Sequence, residues 1–311
     1  MGGDAGPSVI VDGALVAARH LQVGLLLVGD AAAIESELAR HPVASLFRRI
    51  DVQIIDAPDR VEMSESPALA LRRKPRASIK VAADAVRDGR ADALFSAGHT
   101  GASVMAAHGA FGLLPGVDRP ALATIIPTRR APAVLLDAGA TVGCRPPHLV
   151  QFAVMGSAYA RVALGLAAPR VGLLSVGEEE SKGNELTREA HQLLKTSLPS
   201  FTGNVEARDV YRGQADVIVC DGFTGNVALK ISEGLVEVIE GLLSKELSVM
   251  TDYSEYGGAP LLGVNGVAIV GHGRSSAKAV RNGVVMARRF AEDGFIPRIE
   301  GDIAACAVPH Q

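Results

Sequence analysis

The chain alternates between short apolar runs and amphipathic segments, with glycine-rich loops between them. Residues 23–41, 91–111, 131–164, 171–194 and 215–243 all follow this order. Each begins with a run rich in Val, Leu, Ile or Ala and ends with a helical period. Apolar runs that alternate with helical segments indicate parallel strands joined by helical crossovers. Near-continuous hydrophobicity is typical of strands covered on both faces, so the pattern predicts an α/β fold with a mainly parallel sheet.

No Pro- or Ser-rich linker, repeat or low-complexity segment interrupts this rhythm. We therefore expect one α/β catalytic domain over residues 1–311, with two lobes as the alternative. A helical period over 228–249 places an apolar face opposite several glutamates. An acidic polar face is poorly suited to anionic lipid, so we expect the apolar face to pack against the core or a second subunit. Its members are Leu235, Val238, Ile239, Leu242 and Leu243.

Composition excludes several classes of function. The net charge is −3, aromatic residues make up 4% of the chain and Trp is absent, which disfavours nucleic-acid binding. The three widely spaced cysteines suggest neither a disulfide framework nor a zinc site and fit a reducing cytoplasm. No histidine and carboxylate spacing indicates a metal, and we predict no metal and no cofactor. No apolar window is long enough to predict a membrane span, and the start resembles no signal peptide.

The loop "SAGHTGAS", residues 96–103, lies directly between a predicted strand and a predicted helix. Helix starts present unpaired backbone N–H groups that suit a phosphate. We therefore predict that Gly98, His99, Thr100 and Gly101 bind substrate. The alternative is a tight turn in which Thr100 or Ser103 caps the helix.

Two further loops have the same construction. "LLDAGATVGC" places Asp137 and Gly139 at a strand end, and "DGFTGNVALK" places Gly225 and Asn226 at another. The Asn226 amide either caps its helix or points toward a substrate carbonyl or phosphate. Because parallel strands present their carboxyl ends at the ligand-binding edge of a sheet, we expect all these loops to converge at one edge of one sheet. We predict that Asp137, Gly139 and Gly225 bind substrate there.

The fourth loop, "GEEESKGNEL" over residues 177–186, concentrates charge before a helix. Acids at a helix start favour its dipole, whereas the cation Lys182 opposes it. Lys182 either forms an ion pair with Glu178 or Glu179, or meets an anionic substrate or developing oxyanion. We include Asn184, two residues later, among the expected substrate-binding residues.

Taken together and in chain order, several blocks resemble one family. They include "MGGDAGP", "MSESPALALRRKPRASIK", "SAGHTGA", "LLDAGATVGCRPPHL", "GLLSVGEEESKGNEL", "CDGFTGNVALK" and "GHGRSSAKA". They resemble the bacterial phosphate acyltransferases of phospholipid synthesis, the PlsX family. The resemblance implies a Rossmann-like α/β/α sandwich akin to isocitrate and isopropylmalate dehydrogenases and phosphate acetyltransferases. It also implies that acyl-acyl carrier protein and inorganic phosphate react to give acyl phosphate, with Lys182 and Asn226 as the catalytic pair.

The same resemblance implies a cytoplasmic homodimer with peripheral contact at the inner face of the membrane and a membrane acyltransferase downstream. Residues 228–256 match the family's helical dimer and tip region, although the stretch between Gly234 and Gly257 looks shorter here. Members usually carry a short apolar strand before "MGGD", where this sequence has Met1, so we expect a strand to be missing from the sheet. His99, Thr141 and Gly143 also depart from the family pattern.

Three other functions stay open from the sequence. One is a phosphate acyltransferase that uses acyl-CoA, and the second is a catalytically impaired scaffold that binds acyl carrier protein. The third, NAD-dependent oxidation on a related fold, lacks the dinucleotide fingerprint.

Overall fold

The computed structural model describes residues 2–3, 6–41, 51–242 and 257–306. The chain divides into two compact units. The first comprises Met1–Gly112, Tyr253–Pro260 and Val264–Gly294. The second comprises Leu113–Asp252, Leu261–Gly263 and Phe295–Gln311.

Within the described residues, the first unit contains six helices and five strands. The fourth of these strands, residues 259–262, continues into the second unit. The helices are α1 Gly6–Leu21, α2 Ala31–Arg40, α3 Pro67–Arg73, α4 Ser78–Arg87, α5 Thr100–Phe111 and α9 Ala277–Glu292. The strands are β1 Leu25–Gly29, β2 Val52–Asp56, β3 Ala93–Ser96, β10 Ala259–Leu262 and β11 Val267–Val270.

Strand pairing in the first unit is mostly parallel. Strand β1 pairs with β2 and β3 pairs with β11, both in parallel. The first half of β10 pairs antiparallel with β11. Both β1 and β3 line a cavity of about 890 Å³, and each has only one hydrogen-bonded neighbour among the strands that the structure describes.

The second unit is built on a five-stranded sheet. The strands of this unit are β4 Ala121–Leu122, β5 Thr124–Ile126, β6 Ala133–Leu136, β7 Val171–Ser175, β8 Phe201–Glu206 and β9 Val217–Val219. All of them except β4 belong to the five-stranded sheet. Its helices are α6 Pro146–Leu164, α7 Glu185–Ser197, α8 Gly222–Leu242 and α10 Phe295–Ala305, with a 3₁₀ helix at Ala207–Arg212. The sheet order is β5-β6-β9-β7-β8, parallel except for β5, and β4 pairs antiparallel with the end of β10.

The core of the second unit forms where helix α6 lies on this sheet. Strands β6, β7 and β9 are buried at every residue, which explains their near-continuous apolar sequence. A Cβ added to Gly156 of α6 would lie 2.6 Å from a Val217 methyl group, so only glycine allows the helix this close to β9. The core therefore depends on both the apolar strands and a small residue in the helix.

The five strand–loop–helix stretches and the mixed, mainly parallel α/β class predicted from the sequence are confirmed. No helix within the described ranges is both long and apolar enough to cross a membrane. The side chains of Ile239 and Leu242, together with residues 243–256, lie outside the described residues.

Candidate active site

Three of the predicted loops lie at one edge of the five-stranded sheet. Strands β6, β9 and β7 are parallel neighbours, so the residues that follow them share the carboxyl edge. These residues are 137–145, 220–226 and 176–184. The expectation that residues 96–103 follow a strand of the same sheet is wrong, because β3 pairs with β11 in the first unit.

Asp137 organises the loop that follows β6. Its side chain is fully buried and accepts four backbone N–H groups. Oδ1 accepts from Leu122, Gly139 and Ala140, each at 2.9 Å, and Oδ2 accepts from Thr141 at 2.6 Å. Burial raises the pKa of Asp137, and these four hydrogen bonds oppose the rise. Both oxygens are thus already engaged, which gives Asp137 a role in shaping the loop.

Asn226 does not cap its helix, because α8 begins four residues earlier at Gly222. Asp221 is the cap: its Oδ1 accepts from the backbone N–H groups of Phe223 and Thr224, each at 3.0 Å. Asn226 instead donates from Nδ2 to the Ala138 carbonyl at 3.3 Å. Its second amide N–H has no partner within the described part of the chain. The capping alternative is therefore wrong, and an amide donor remains at the sheet edge.

Gly139 and Gly225 allow the loops after β6 and β9 to meet. A Cβ at Gly225 would lie 1.9 Å from the Asp137 carbonyl oxygen. A Cβ at Gly139 would lie 3.0 Å from Asn226 Nδ2, and Gly139 also has a φ of +135°. Both positions therefore require glycine for the backbone and the Asn226 amide to come this close. This explains two of the predicted site glycines by packing.

Lys182 is exposed, and its side chain forms no ion pair with any residue that the structure describes. The predicted alternative, pairing with Glu178 or Glu179, is therefore not found. Its stem lies along Gly177, where an added Cβ would be 3.1 Å from Lys182 Cγ. The Lys182 ammonium therefore has no ion-pair partner among the described residues at this edge of the sheet, which leaves it available to an anion.

Asn184 begins the helix that follows Lys182. Its Oδ1 accepts from the Thr187 backbone N–H at 2.9 Å, so it is the cap of α7. Its amide nitrogen has no partner among residues with described positions. A structural role for the oxygen leaves the amide nitrogen available to a ligand.

His99, in the first unit, caps α5. Its Nδ1 accepts from the Ala102 backbone N–H at 3.4 Å, and its Nε2 lies 3.2 Å from the Glu65 carbonyl oxygen. Because a carbonyl only accepts, Nε2 is the donor in this contact. The capping roles suggested for Thr100 and Ser103 are therefore wrong.

Of the two predicted site glycines near His99, Gly101 has little room for a side chain, whereas Gly98 has ordinary van der Waals contacts. A Cβ at Gly101 would be 3.0 Å from Pro67 Cγ, and one at Gly98 would be 3.8 Å from the Gly2 Cα. Thr100 is the first residue of α5. These contacts do not test whether residues 98–101 bind substrate. That role stays a prediction, and it concerns the first unit.

Sequence analysis missed two organising carboxylates. Asp221 is not among the predicted site residues, although an aspartate directly before a helical segment is a helix-start signal, and its Oδ2 accepts from the Thr224 hydroxyl at 2.6 Å. Asp137 was assigned to substrate, and nothing in the sequence shows that four N–H groups surround it.

The structure gives no support to cysteine or metal chemistry at this edge. Burial raises the pKa of Cys144 to about 12 and that of Cys220 well above its ordinary value, so both thiols are protonated at neutral pH. The described residues contain no group of three or more His, Cys, Asp or Glu side chains arranged to hold a metal ion.

A family model described as "Fatty acid synthesis protein" matches residues 1–250 and 242–298. The chain is 48% identical over 326 aligned positions to a phosphate acyltransferase of Nitratidesulfovibrio vulgaris, with 98% of this chain and 93% of that relative covered. It is 46% identical to a phosphate acyltransferase of Acidobacterium capsulatum, covering 99% of this chain and 97% of that relative.

Solved structures support the fold. A phosphotransacetylase from Streptococcus pyogenes superposes with a TM-score of 0.68 at 18% identity, covering 92% of this chain and 91% of that one. The EutD phosphotransacetylase from Staphylococcus aureus gives 0.59, also at 18% identity, covering 92% of each chain. At this identity the likeness shows the fold alone, and it agrees with the Rossmann-like α/β class expected from the sequence.

Proposed function

The chain belongs to the bacterial phosphate acyltransferase family, and from that premise we propose that it forms acyl phosphate from acyl-acyl carrier protein and inorganic phosphate. The observation that carries the proposal is the edge of β6, β9 and β7. There an unpaired lysine and an amide with a spare N–H follow neighbouring strands. Such groups suit an anionic nucleophile and a developing oxyanion.

The reaction is a direct acyl transfer. An oxygen of inorganic phosphate attacks the thioester carbonyl carbon and forms a C–O bond. The tetrahedral intermediate then collapses, the C–S bond breaks, and the carrier leaves as a thiolate that takes up a proton. Because phosphate is already anionic at neutral pH, the protein must position it more than deprotonate it. This fits a site that supplies hydrogen-bond donors and a positive charge.

In this proposal Lys182 and Asn226 are the catalytic residues. The Lys182 ammonium compensates the charge of phosphate or of the oxyanion, and the spare Asn226 N–H donates to the oxyanion. Gly139 and Gly225 let the loops after β6 and β9 meet at this edge, and the Asn184 amide nitrogen donates to a phosphate oxygen. Gly98, His99, Thr100 and Gly101 form a proposed substrate-binding loop of the first unit, and Asp137 keeps its loop in shape.

Turnover with two acyl donors tests the proposal. Purified protein is incubated with inorganic phosphate and either acyl-acyl carrier protein or acyl-CoA, and acyl phosphate is trapped with hydroxylamine while thiol release is followed. We expect phosphate-dependent release of one thiol per acyl phosphate, with the carrier-linked donor preferred. A preference for acyl-CoA would show that the acyl donor is CoA-linked. If neither donor gave phosphate-dependent thiol release, the proposed function would be wrong.

The proposed setting is a homodimer in the cytoplasm with peripheral contact at the inner face of the membrane. There a membrane acyltransferase would consume the acyl phosphate, which is a reactive mixed anhydride. Co-sedimentation with anionic vesicles tests the membrane contact, and recovery of all protein in the supernatant would argue against it.

A further inference from the structure

A backbone hydrogen bond stabilises the exposed loop that carries Lys182. The Lys182 N–H donates to the Glu179 carbonyl at 3.0 Å, which closes a tight turn over residues 179–182. No ion pair fixes the Lys182 side chain among the described residues. The orientation of the Lys182 side chain therefore depends on the stability of this turn.

The carbonyl that closes the turn has a second donor from inside the unit. Asn204 on β8 is buried, and its Nδ2 donates to the Glu179 oxygen at 2.9 Å. One carbonyl thus joins the Lys182 backbone to a side chain of the neighbouring strand. The Glu180 carboxylate, within the same turn, also accepts from Lys195 Nζ on α7. Loss of the Asn204 donor would therefore leave the Glu179 carbonyl with the internal bond of the turn alone.

Asn204 is itself oriented by a buried histidine. His191 Nδ1 on α7 lies 2.9 Å from Asn204 Oδ1, and the ring packs edge-on against Phe201 with centroids 5.1 Å apart. Because Asn204 uses Nδ2 on a carbonyl that only accepts, its Oδ1 faces the histidine. His191 Nδ1 therefore carries the hydrogen. The hydrogen bonds run in one direction from His191 to Asn204 to the Glu179 carbonyl.

We propose that His191 and Asn204 are positioning residues for acyl transfer, acting on Lys182 through the Glu179 carbonyl. The inference rests on the proposed catalytic role of Lys182. It goes beyond that role by assigning function to two buried residues that touch no substrate. A purely structural role would be served by any buried pair, whereas this pair is directed at the turn that carries the lysine.

Asn204→Asp tests the inference with little change of shape. The aspartate keeps an acceptor for His191 but places a second oxygen against the Glu179 carbonyl oxygen, so the turn is released. Because small misplacements of a catalytic group are costly, we expect kcat to fall about 10- to 100-fold while KM changes little.

Two His191 variants provide a matched comparison. His191→Phe keeps the ring and its packing on Phe201 but removes the donor, and we expect kcat to fall about 10-fold. His191→Asn loses ring packing but keeps an N–H close to the position of Nδ1. A higher kcat in His191→Asn than in His191→Phe supports the hydrogen bond as the active feature, and the reverse order contradicts it.

A double-mutant cycle separates positioning from loss of fold. In the Lys182→Ala background, Asn204→Asp should lower kcat less than 2-fold further, because the group that it positions is gone. Gln151→Leu is the control. This buried amide on α6 accepts from the Asp118 backbone N–H at 3.0 Å, away from the loop, and its loss should lower Tm without the selective loss of kcat.

Hydrogen exchange supplies a readout besides activity. The Lys182 amide should exchange at least about 10-fold faster in Asn204→Asp than in the unaltered protein, since its acceptor is no longer held. Unchanged exchange, or an equal kcat loss with and without Lys182, would overturn the positioning role. Normal kcat in Lys182→Ala alone would instead overturn the catalytic role proposed for Lys182, and absence of phosphate-dependent turnover in the unaltered protein would overturn the proposed function, so the failures are distinguishable.

Discussion

Lys182 and Asn226 are held in different ways, although they follow neighbouring strands. Asn226 is tied to the Ala138 carbonyl by one N–H, and its backbone lies in the second turn of α8. Lys182 has an exposed side chain that runs along Gly177 without an ion pair among the described residues. Substitution of either should therefore affect chemistry more than folding.

Lys182→Ala should lower turnover roughly 100- to 1000-fold, because it removes the positive charge that faces phosphate or the oxyanion. An exposed lysine without a partner contributes little to folding, so the free energy of unfolding should change by less than about 0.5 kcal/mol. Steady-state kinetics and chemical denaturation measure the two effects. Lys80→Ala on α4 is the control and should leave both quantities unchanged. Near-normal turnover in Lys182→Ala would show that the assigned role is wrong.

Asn226→Ala should also lower turnover about 100-fold, by removing the oxyanion donor. It should not carry the cost of a lost cap, because Asp221 caps α8. Asp221→Ala should instead lower the free energy of unfolding by about 1 kcal/mol. Combined with Lys182→Ala, the loss in turnover should be less than the product of the single losses, since both groups serve one transition state. Full multiplication would indicate independent roles.

At the scale of elements, an ion pair joins the starts of strands β7 and β9. The Arg170 guanidinium donates to Asp216 from Nε at 3.0 Å and from Nη2 at 2.9 Å, and the Arg170 backbone N–H donates at 2.8 Å. Burial raises the pKa of Asp216, but these hydrogen bonds outweigh it and hold the pKa below its ordinary value. The pair sets the register of two parallel strands at the edge opposite the site.

Asp216→Asn should lower the free energy of unfolding at pH 7 by about 1 kcal/mol, a small value because Arg170 is partly exposed. A lowered folded-state pKa stabilises the protein above the unfolded pKa of about 3.9, and this stabilisation is lost as the pH falls through the folded value. The difference between variant and unaltered protein should therefore disappear at low pH. Denaturation curves at several pH values measure it, and turnover at pH 7 should stay unchanged. A difference that persists at low pH would exclude the ion pair as its source.

At the scale of the whole molecule, helix α8 presents an apolar stripe on its surface. Four exposed members recur at every fourth residue, namely Phe223, Val227, Ile231 and Leu235, and Val238 is exposed as well. A continuous stripe of large apolar side chains is typical of an interaction surface. It lies on the same helix as the expected dimer region, residues 228–256, of which the structure describes the backbone to Leu242.

The chain should therefore form a dimer of about twice its 32.2 kDa through this stripe. Ile231→Lys places a charge in the stripe and should shift the protein to monomers in light scattering. Val285→Lys, at an exposed valine on α9, is the matched control and should leave the mass unchanged. A monomer for the unaltered protein, or a dimer that survives Ile231→Lys, would contradict the assignment.

The sequence by itself predicted the strand–loop–helix order, the mainly parallel pairing and the family. These features follow from local patterns, because apolar runs such as residues 171–175 are typical of buried strands, and the loops after them carry Lys182 and Asn226. The caps were less predictable. His99, Asn184 and Asp221 each cap a helix, and only the hydrogen bonds show which of several candidate residues does so.

Tertiary structure alone decided which loops share a sheet and what surrounds each side chain. Strand pairing is a long-range choice, so no local pattern shows that β3 joins β11 while β6, β9 and β7 form one edge. The same holds for Asp137, whose four N–H partners come partly from Leu122 on another strand. It holds again for Asn204, which reaches the Glu179 carbonyl across 25 residues of sequence. Sequence specifies the groups that are present, and burial and hydrogen bonding between distant segments specify what they do.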